Sequence, residues 1–461
     1  MPRTPIFGLF RRAFRLAQAA NQQKITASEA IERCEAANYS RRNFLKQGGL
    51  TAAALSVPSF LLTACNKDNS LRPTNIAIVG GGIAGLNCAY ELQKAGYTSA
   101  IYEASKRVGG RMFTAKNSMA QGLTTELGGE FIDTSHTTIL HLAQEFGLSI
   151  IDTFSATEAA LARTTYFFGG QLYNEQQIVD AFMPIAAAIQ ADIDSLPDEC
   201  DYKHAAQLAA LDNQSISQYL ANIGASGAIK ALIEQAYIGE FGLEANEQTA
   251  VSMLFLLSAD TNAGILQLYG ASDERYKIAG GNQQIPDKIA EKLNSNQIRL
   301  EHRLVRLEKN STGGGYLLFF DENGKTVQTQ ADIVVLTIPF SILKTVEMRV
   351  SMSAEKRYAI DNLGYGTNAK LMLGMSSRPW RSVGHSGYFY SDLTVQQGWD
   401  NAQMQNGNNG AGGITLFSGG LNGLAMGNGT PESQAAAQLP KLEQVLAGTA
   451  AAYNGKAIRM H

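Results

Sequence analysis

The chain has 461 residues, a formal net charge of −3, and is 45% hydrophobic and 17% charged. That composition is globular and long enough for two or three domains; with no basic stripe interleaved with aromatics, it gives no sign of a nucleic-acid partner. The four cysteines, Cys34, Cys65, Cys88 and Cys200, share no metal-ligand spacing, so no metal site is expected.

The first segment reads as an address. Ser40 to Lys46 spell SRRNFLK, and an apolar stretch from Gly48 to Ala64 follows, ending in LLTAC. A charged segment, an apolar segment and small residues ahead of a cleavage point are the grammar of an export signal. The apolar run falls short of the roughly 20 residues a membrane span needs, and Pro58 interrupts it. Arg41-Arg42 with Phe44-Leu45-Lys46 resembles a bacterial twin-arginine signal, and Leu62-Thr63-Ala64-Cys65 resembles a lipobox. These resemblances imply that residues 1–65 are a signal and that the mature protein is a periplasmic or cell-envelope lipoprotein. Its only membrane contact would be a lipidated Cys65. Residues 66–73 form a polar linker. The twin-arginine route carries folded proteins, often ones loaded with a cofactor beforehand.

Residues 75–79 read as a buried strand, and Gly80-Gly81-Gly82-Ile83-Ala84-Gly85 fits G-x-G-x-x-G. Leu86 to Lys94 carries apolar residues at helical spacing and stops at Gly96; Ser99 to Tyr102 is a second strand with Glu103 at its end. This strand–turn–helix–strand unit with a following acid is a dinucleotide-binding pattern. Gly80 permits the tight turn, Gly82 lets backbone approach a pyrophosphate, and Gly85 lets helix and strand pack closely. The helix N-terminus, at Ile83 and Ala84, offers N–H groups to phosphates. Glu103 accepts from an adenosine ribose.

Glu103 to Thr114, EASKRVGGRMFT, makes the pattern specific: it resembles the flavin amine oxidase family of monoamine, polyamine and L-amino acid oxidases. The resemblance implies FAD as cofactor. It places Ala104, Arg107, Gly109, Gly110 and Arg111 along the FAD. TELGGEFID, Thr125 to Asp133, resembles the next flavin-side segment and adds Gly128, Gly129 and Glu130. YKIAGGNQQIPDKIAEKL, from Tyr276, resembles the return to the FAD domain. RLEHRLVRLEK resembles the strand that passes the adenine, with a backbone contact at Leu304 or Val305. ADIVVLTIPFSIL resembles the strand and proline turn that re-enter the substrate domain, and GTNAKLML resembles the segment with the active-site lysine, Lys370. Strand alternation in NAKLML sets Lys370 on the face of Met372, opposite Leu371.

The implied fold class is α/β, a Rossmann-like FAD-binding domain interleaved with a mixed helical and β-sheet substrate domain. The FAD-binding domain takes residues 74–135 and 276–340. The substrate domain takes 136–275, rich in helical patterns such as AFMPIAAAIQADI, and 341–430, whose aromatic and glycine-rich stretch from Gly387 to Gly420 lines a funnel. Asn401 to Gly413 reads as a flexible polar loop, and residues 431–461 read as a helical C-terminal segment. No internal repeat is found.

Two departures from the family pattern stand out. The chain stops at AAYNGKAIRMH, where the resemblance implies a further Gly-Glu motif, a helix aimed at the flavin and half of an aromatic cage. A fragment of a longer protein is the expectation. Secondly, Glu130 and Phe131 occupy a stretch where venom-type L-amino acid oxidases hold an arginine for the substrate carboxylate. If Glu130 faces the cavity it favours a cationic amine; otherwise it pairs with a nearby cation. The resemblance implies oxidation of a small amine by oxygen to an imine, then a carbonyl compound with ammonia and hydrogen peroxide. L-amino acid oxidase, flavin desaturase or porphyrinogen oxidase, and non-catalytic lipoprotein are the alternatives; the oligomeric state stays open.

Replacing Arg41 and Arg42 together by lysine should leave the protein in the cytoplasm. Cell fractionation reads this directly, and an unchanged envelope fraction would remove the address.

Overall fold

Four consecutive buried residues, Ile76–Val79, form the central strand β1, as an apolar run flanked by glycines should when both faces of a parallel sheet are covered. The computed structural model describes residues 74–197, 205–261, 264–405, 407 and 410–461, so the signal and the linker lie outside the described residues. Helix α1 (Ile83–Lys94) follows, then strand β2 (Ser99–Tyr102). The parallel sheet runs in the order Ile333–Leu336, β1, β2, Ile298–Arg299. Its register sets Val79 beside Leu336 and Tyr102. Gly80, Glu103 and Thr337 therefore leave the sheet along one edge, where ligands of such sheets bind.

Both faces of this sheet are dry. Ile76, Ile78 and Ile101 pack with Leu86 and Ala89 of α1 and with Ile285 and Ile289 of the helix Gln284–Lys292. On the other face, Ala77, Val79 and Tyr102 meet Leu304, Leu318 and Phe320 of an antiparallel sheet. That sheet contains Arg303–Lys309, Tyr316–Glu322 and Lys325–Ala331, and Tyr102 stacks on Phe320 at 4.3 Å between ring centres.

A larger, seven-stranded sheet carries the remaining machinery. Its order is Tyr453–Met460, Ala369–Met375, Gly412–Ser418, Gln397–Asp400, His385–Ser391, Ala162–Phe168, Gln171–Tyr173. Leu371 and Leu373 point into a core with Leu416, Phe389 and Leu442, while Met372 packs with Met119 and Leu127 on the opposite side. The alternation expected from NAKLML holds. The fold class is the one the sequence implied, and these elements form one compact unit, Thr74–Ile193 with Leu211–His461. A second unit takes in Asp194–Ala210, of which 194–197 and 205–210 are described.

Three sequence expectations need correction. The span 136–275 is not only helical. Beside helices such as Glu175–Ser195 and Gly227–Phe241, it contributes the hairpin Ala162–Phe168 and Gln171–Tyr173. Thr-Thr-Tyr-Phe-Phe favours a strand, and Gly169 and Gly170, at φ 59° and 76°, make the two-residue turn that hairpins prefer. In the C-terminal segment, Pro431–Val445 is a helix with a capping box between Thr430 and Ser433. Tyr453–Met460, however, is a strand paired with Ala369–Met375, and it covers an edge of the large sheet that would otherwise be left open. The expected loop 401–413 is turns over 401–404, and Gly412 already belongs to a strand.

A Cβ at Gly85 would lie 2.0 Å from the Gly80 carbonyl oxygen, and backbone cannot retreat cheaply. Gly85→Ala should lower stability by about 1–3 kcal/mol, read as a fall in Tm by calorimetry. An unchanged Tm would mean that α1 and β1 tolerate a wider separation.

Candidate active site

The edge of the parallel sheet forms a cradle of bare backbone. Gly82 caps α1 with no side-chain hydrogen bond, so the first-turn N–H groups of Ile83, Ala84 and Gly85 have no acceptor within the helix. Gly82 forms a bridge with Gly109, and a Cβ at Gly82 would meet only the Gly110 Cα, at 3.9 Å. A Cβ at Gly129 would meet nothing within 4 Å. Gly109 and Gly110 adopt φ of 99° and 54°, a conformation glycine takes at no steric cost. Ala84, Ala104, Gly110, Arg111 and Gly129 are exposed around this space.

The charged residues divide into supports and free groups. Glu103 accepts from the N–H of Gly81 at 2.6 Å and of Ser105 at 2.8 Å, which folds the glycine turn against β2 and leaves lone pairs on both oxygens. The Glu103 carbonyl accepts from the His302 N–H at 2.8 Å, so Leu304 and Val305 run beside it, with the register irregular between Leu304 and Arg306. Arg107 lies over the Phe113 ring at 3.9 Å. It donates to the carbonyls of Val108 and Gly110 at 3.0 and 2.5 Å, so it braces the second glycine turn. Arg111 is exposed, and while its carbonyl accepts from the Gly129 N–H at 2.9 Å, its guanidinium makes no hydrogen bond or ion pair among the described residues, a free cation beside the cradle. Unfilled space, unpaired N–H groups and a free guanidinium fit a dinucleotide diphosphate.

Lys370 arrives from the large sheet. Its Nζ donates to the Gly128 carbonyl at 2.7 Å and lies 3.5 Å from Glu130 Oε2. Glu130 also takes Lys277 Nζ at 2.8 Å on Oε1, and its side chain is 2% exposed. Glu130 is therefore the buried counter-ion of two lysines, the second of the two roles its sequence position allowed. Desolvation pushes its carboxyl upward, but Lys277 and Lys370 outweigh that and hold it below the usual range. Desolvation dominates at Lys370 and pulls its ammonium below the ordinary lysine value. One further carboxyl, Glu126, is pushed up to about 7 by desolvation, while the Asn282 N–H and the Thr114 hydroxyl donate to it.

A cavity of about 740 Å³ opens beside this group, between the large sheet and the segment 265–274. Phe131 and Trp399 stand at its lysine end, edge to face at 5.3 Å. Lys370 Nζ is 5.3 Å from the Trp399 ring centre, and Tyr388 stacks on Trp399 at 6.1 Å. The stretch from Gly387 onward does line the cavity, through Tyr388, Tyr390 and Trp399. Sequence reading did not single out Lys277, Glu126, Asn282 or Trp399. Lys277 carried a signal, as a lone charge between Tyr276 and Ile278 in a short strand; the other three become site residues only through packing.

Gly82→Val fills the cradle without striking the protein, so the variant should fold normally and lose FAD. Flavin absorbance of the purified protein, beside an unfolding curve, checks both halves. Full flavin content would show that the diphosphate does not lie over Gly82.

Comparison with known proteins agrees with this geometry. The profile of the flavin containing amine oxidoreductase family matches residues 83–423. A Mycobacterium tuberculosis protein named flavin-containing monoamine oxidase AofH is 25% identical over 339 residues, covering 69% of this chain and 68% of its own. Cyclohexylamine oxidase from Brevibacterium oxydans superposes with a TM-score of 0.69 at 19% identity, over 84% of each chain. Putrescine oxidase bound to putrescine superposes at 0.66 and 20% identity, again over 84% of each. At such identities the two structures bear on the fold, and the profile match bears on descent. With FAD as its expected cofactor, the chain belongs to the flavin containing amine oxidoreductase family.

Proposed function

We propose that this protein is a FAD-dependent amine oxidase. It oxidises a primary or secondary amine to an imine while oxygen is reduced to hydrogen peroxide, and water then hydrolyses the imine to a carbonyl compound and ammonia or a shorter amine. Bound FAD supplies the two-electron redox chemistry. The observation that carries the reading is the meeting of Lys370 with the Gly128 carbonyl at 2.7 Å. It puts a desolvated lysine from the substrate sheet against the flavin-side glycine pair, at the aromatic end of the cavity.

Each residue then has a task. The N–H groups of Ile83 and Ala84, with Arg111, would hold the diphosphate, for which Gly82, Gly110 and Gly129 leave room. Glu103 accepts from ribose hydroxyls with the lone pairs its two backbone donors leave. Lys370 has three protons: one goes to the Gly128 carbonyl, one faces Glu130, and the third would hold a water on the flavin side of the cavity. Phe131 and Trp399 exclude bulk water and orient the amine. Acidic side chains outnumber basic ones on the cavity wall: with Glu158 and Asp400 answered by Arg381 and Arg378, Glu175, Asp273 and Glu274 still face the single Arg163. This favours a cationic amine over an amino acid carboxylate. The same proposal sets the enzyme in the cell envelope, exported through SRRNFLK and tethered by Cys65, on the sequence of residues 40–65 alone.

Lys370→Met keeps the length of the side chain in an apolar site and should bind FAD normally. Reoxidation of the reduced enzyme by oxygen, followed by rapid mixing, should slow by roughly 10²–10³, the effect of losing one positioned polar group in a dry site. Reoxidation at the parent rate would make Lys370 a purely structural lysine.

A further inference from the structure

The acidic groups of the cavity differ in how they are satisfied. Glu158 is bound by Arg381 at 2.5 Å, and Asp400 lies 3.5 Å from Arg378 and 3.9 Å from Arg381. Both oxygens of Glu175 are occupied, by the Tyr166 hydroxyl at 2.9 Å and the Leu266 N–H at 3.3 Å. Asp273 takes the Thr134 N–H at 2.9 Å and hydroxyl at 2.6 Å. Glu274 alone of the five is left with little. Among the described residues its side chain has one hydrogen bond, a long one from the Tyr388 hydroxyl, 3.3 Å to Oε2, and no ion pair. Arg163, the basic side chain on the wall, is drawn off by the Phe154 ring at 4.1 Å and the Asp273 carbonyl at 3.2 Å.

The backbone holds Glu274 where it is. Its φ is 48°, a left-handed conformation that a residue with a Cβ adopts only when its surroundings enforce it. The enforcing contact is Asp133, which accepts the Glu274 N–H at 2.8 Å and the Ser272 hydroxyl at 3.0 Å. The carboxylate so placed joins a run of tyrosines. Tyr388 meets Tyr390 at 3.3 Å between hydroxyls, and Tyr390 meets Tyr269 at 3.4 Å. Desolvation, with Glu240 and Asp133 nearby, pushes the Glu274 carboxyl up to about 7, against a smaller opposing pull from the Tyr388 hydroxyl and the Arg163 charge. Aromatic faces beside an unpaired carboxylate are a receptor for an ammonium group. Two rings, Tyr388 and Trp399, separate this receptor from Lys370.

Resting on the amine oxidase reading, we propose that Glu274 receives a second cationic group of the substrate, so that diamines or polyamines are the preferred class. The distal ammonium pairs with Glu274 among Tyr388, Tyr390 and Tyr269, and the amine to be oxidised lies toward Lys370. Of the five carboxylates on the wall, Glu274 has the fewest side-chain partners and so offers the most unspent counter-charge.

The test reads binding, not turnover, on the flavin-loaded full chain by titration calorimetry. The probes are hexamethonium, a six-carbon chain with a trimethylammonium at each end, and hexyltrimethylammonium, which has one. Neither carries an N–H, so neither can be oxidised to an imine. The parent should prefer the dication by at least about 10-fold. Glu274→Gln, which keeps shape and the Tyr388 contact, should bring the two affinities to within about twofold, as loss of a desolvated charge partner does. Glu274→Asp keeps the charge and should keep a preference. A parent without preference, a Gln variant that retains it, or an Asp variant that loses it as fully as Gln would overturn the proposal. Peroxide release with an amine panel tests the amine oxidase reading separately, so its failure and the failure of the Glu274 site appear in different measurements.

Discussion

The structure depends on one buried carboxylate. Glu130 is shared between Lys277 at 2.8 Å and Lys370 at 3.5 Å, and each of the three comes from a different part of the chain. Glu130 follows the glycine pair of the cradle, Lys277 lies in the short strand Tyr276–Ile278, and Lys370 lies in the large sheet. An unpaired charge at such depth is costly, and removing one partner of a buried pair typically destabilises by 3–5 kcal/mol. The ionic group therefore fixes the register between sheet and cradle more sharply than apolar packing, which tolerates sliding. It also sets the lysine's electrostatics: desolvation dominates at Lys370 and lowers its ammonium, Glu130 opposes that, and the Lys277 charge adds to the lowering.

Close backbone approach is the second constraint, and it acts where the ionic group does not. Gly85 against Gly80, and Gly128 against the Arg111 carbonyl 1.8 Å from a hypothetical Cβ, leave no room for a side chain. Gly82 and Gly129 are bare for a different reason, since a Cβ there would touch almost nothing. The first pair holds protein against protein. The second keeps space for a ligand. The two kinds of glycine are interspersed along the cradle, which is how one motif can both build the fold and leave room for a cofactor.

The cavity continues that logic with charge. Arg378 and Arg381 answer Asp400 and Glu158 inside the wall, so those acids stabilise the sheet and lose their pull on a ligand. Glu175 and Asp273 are answered by neutral donors. What remains directed at a ligand is an aromatic lining and one carboxylate, held at a strained backbone position by Asp133. Strain of this sort persists where surrounding structure over-determines it, and here two hydrogen bonds to Asp133 do so.

The sequence by itself determined the cradle. A strand, a glycine turn, a helix and an acid at fixed spacing are local, and local geometry follows from φ preferences and periodicity that any reader can apply. The alternation that turned Lys370 away from Leu371 was local as well, and it held. Family resemblance carried the glycine pairs and Lys370 to their positions, and the profile match supports that descent. What only the tertiary structure decided is which charges meet. GGEFID left Glu130 equally free to face a substrate or a cation, and Lys277, 147 positions away, settled the matter. The hairpin of Ala162–Phe168, the strand Tyr453–Met460 and the unanswered Glu274 were hidden for the same reason. Strand pairing and charge pairing join residues far apart in sequence, and their energies depend on a burial that no single segment reports.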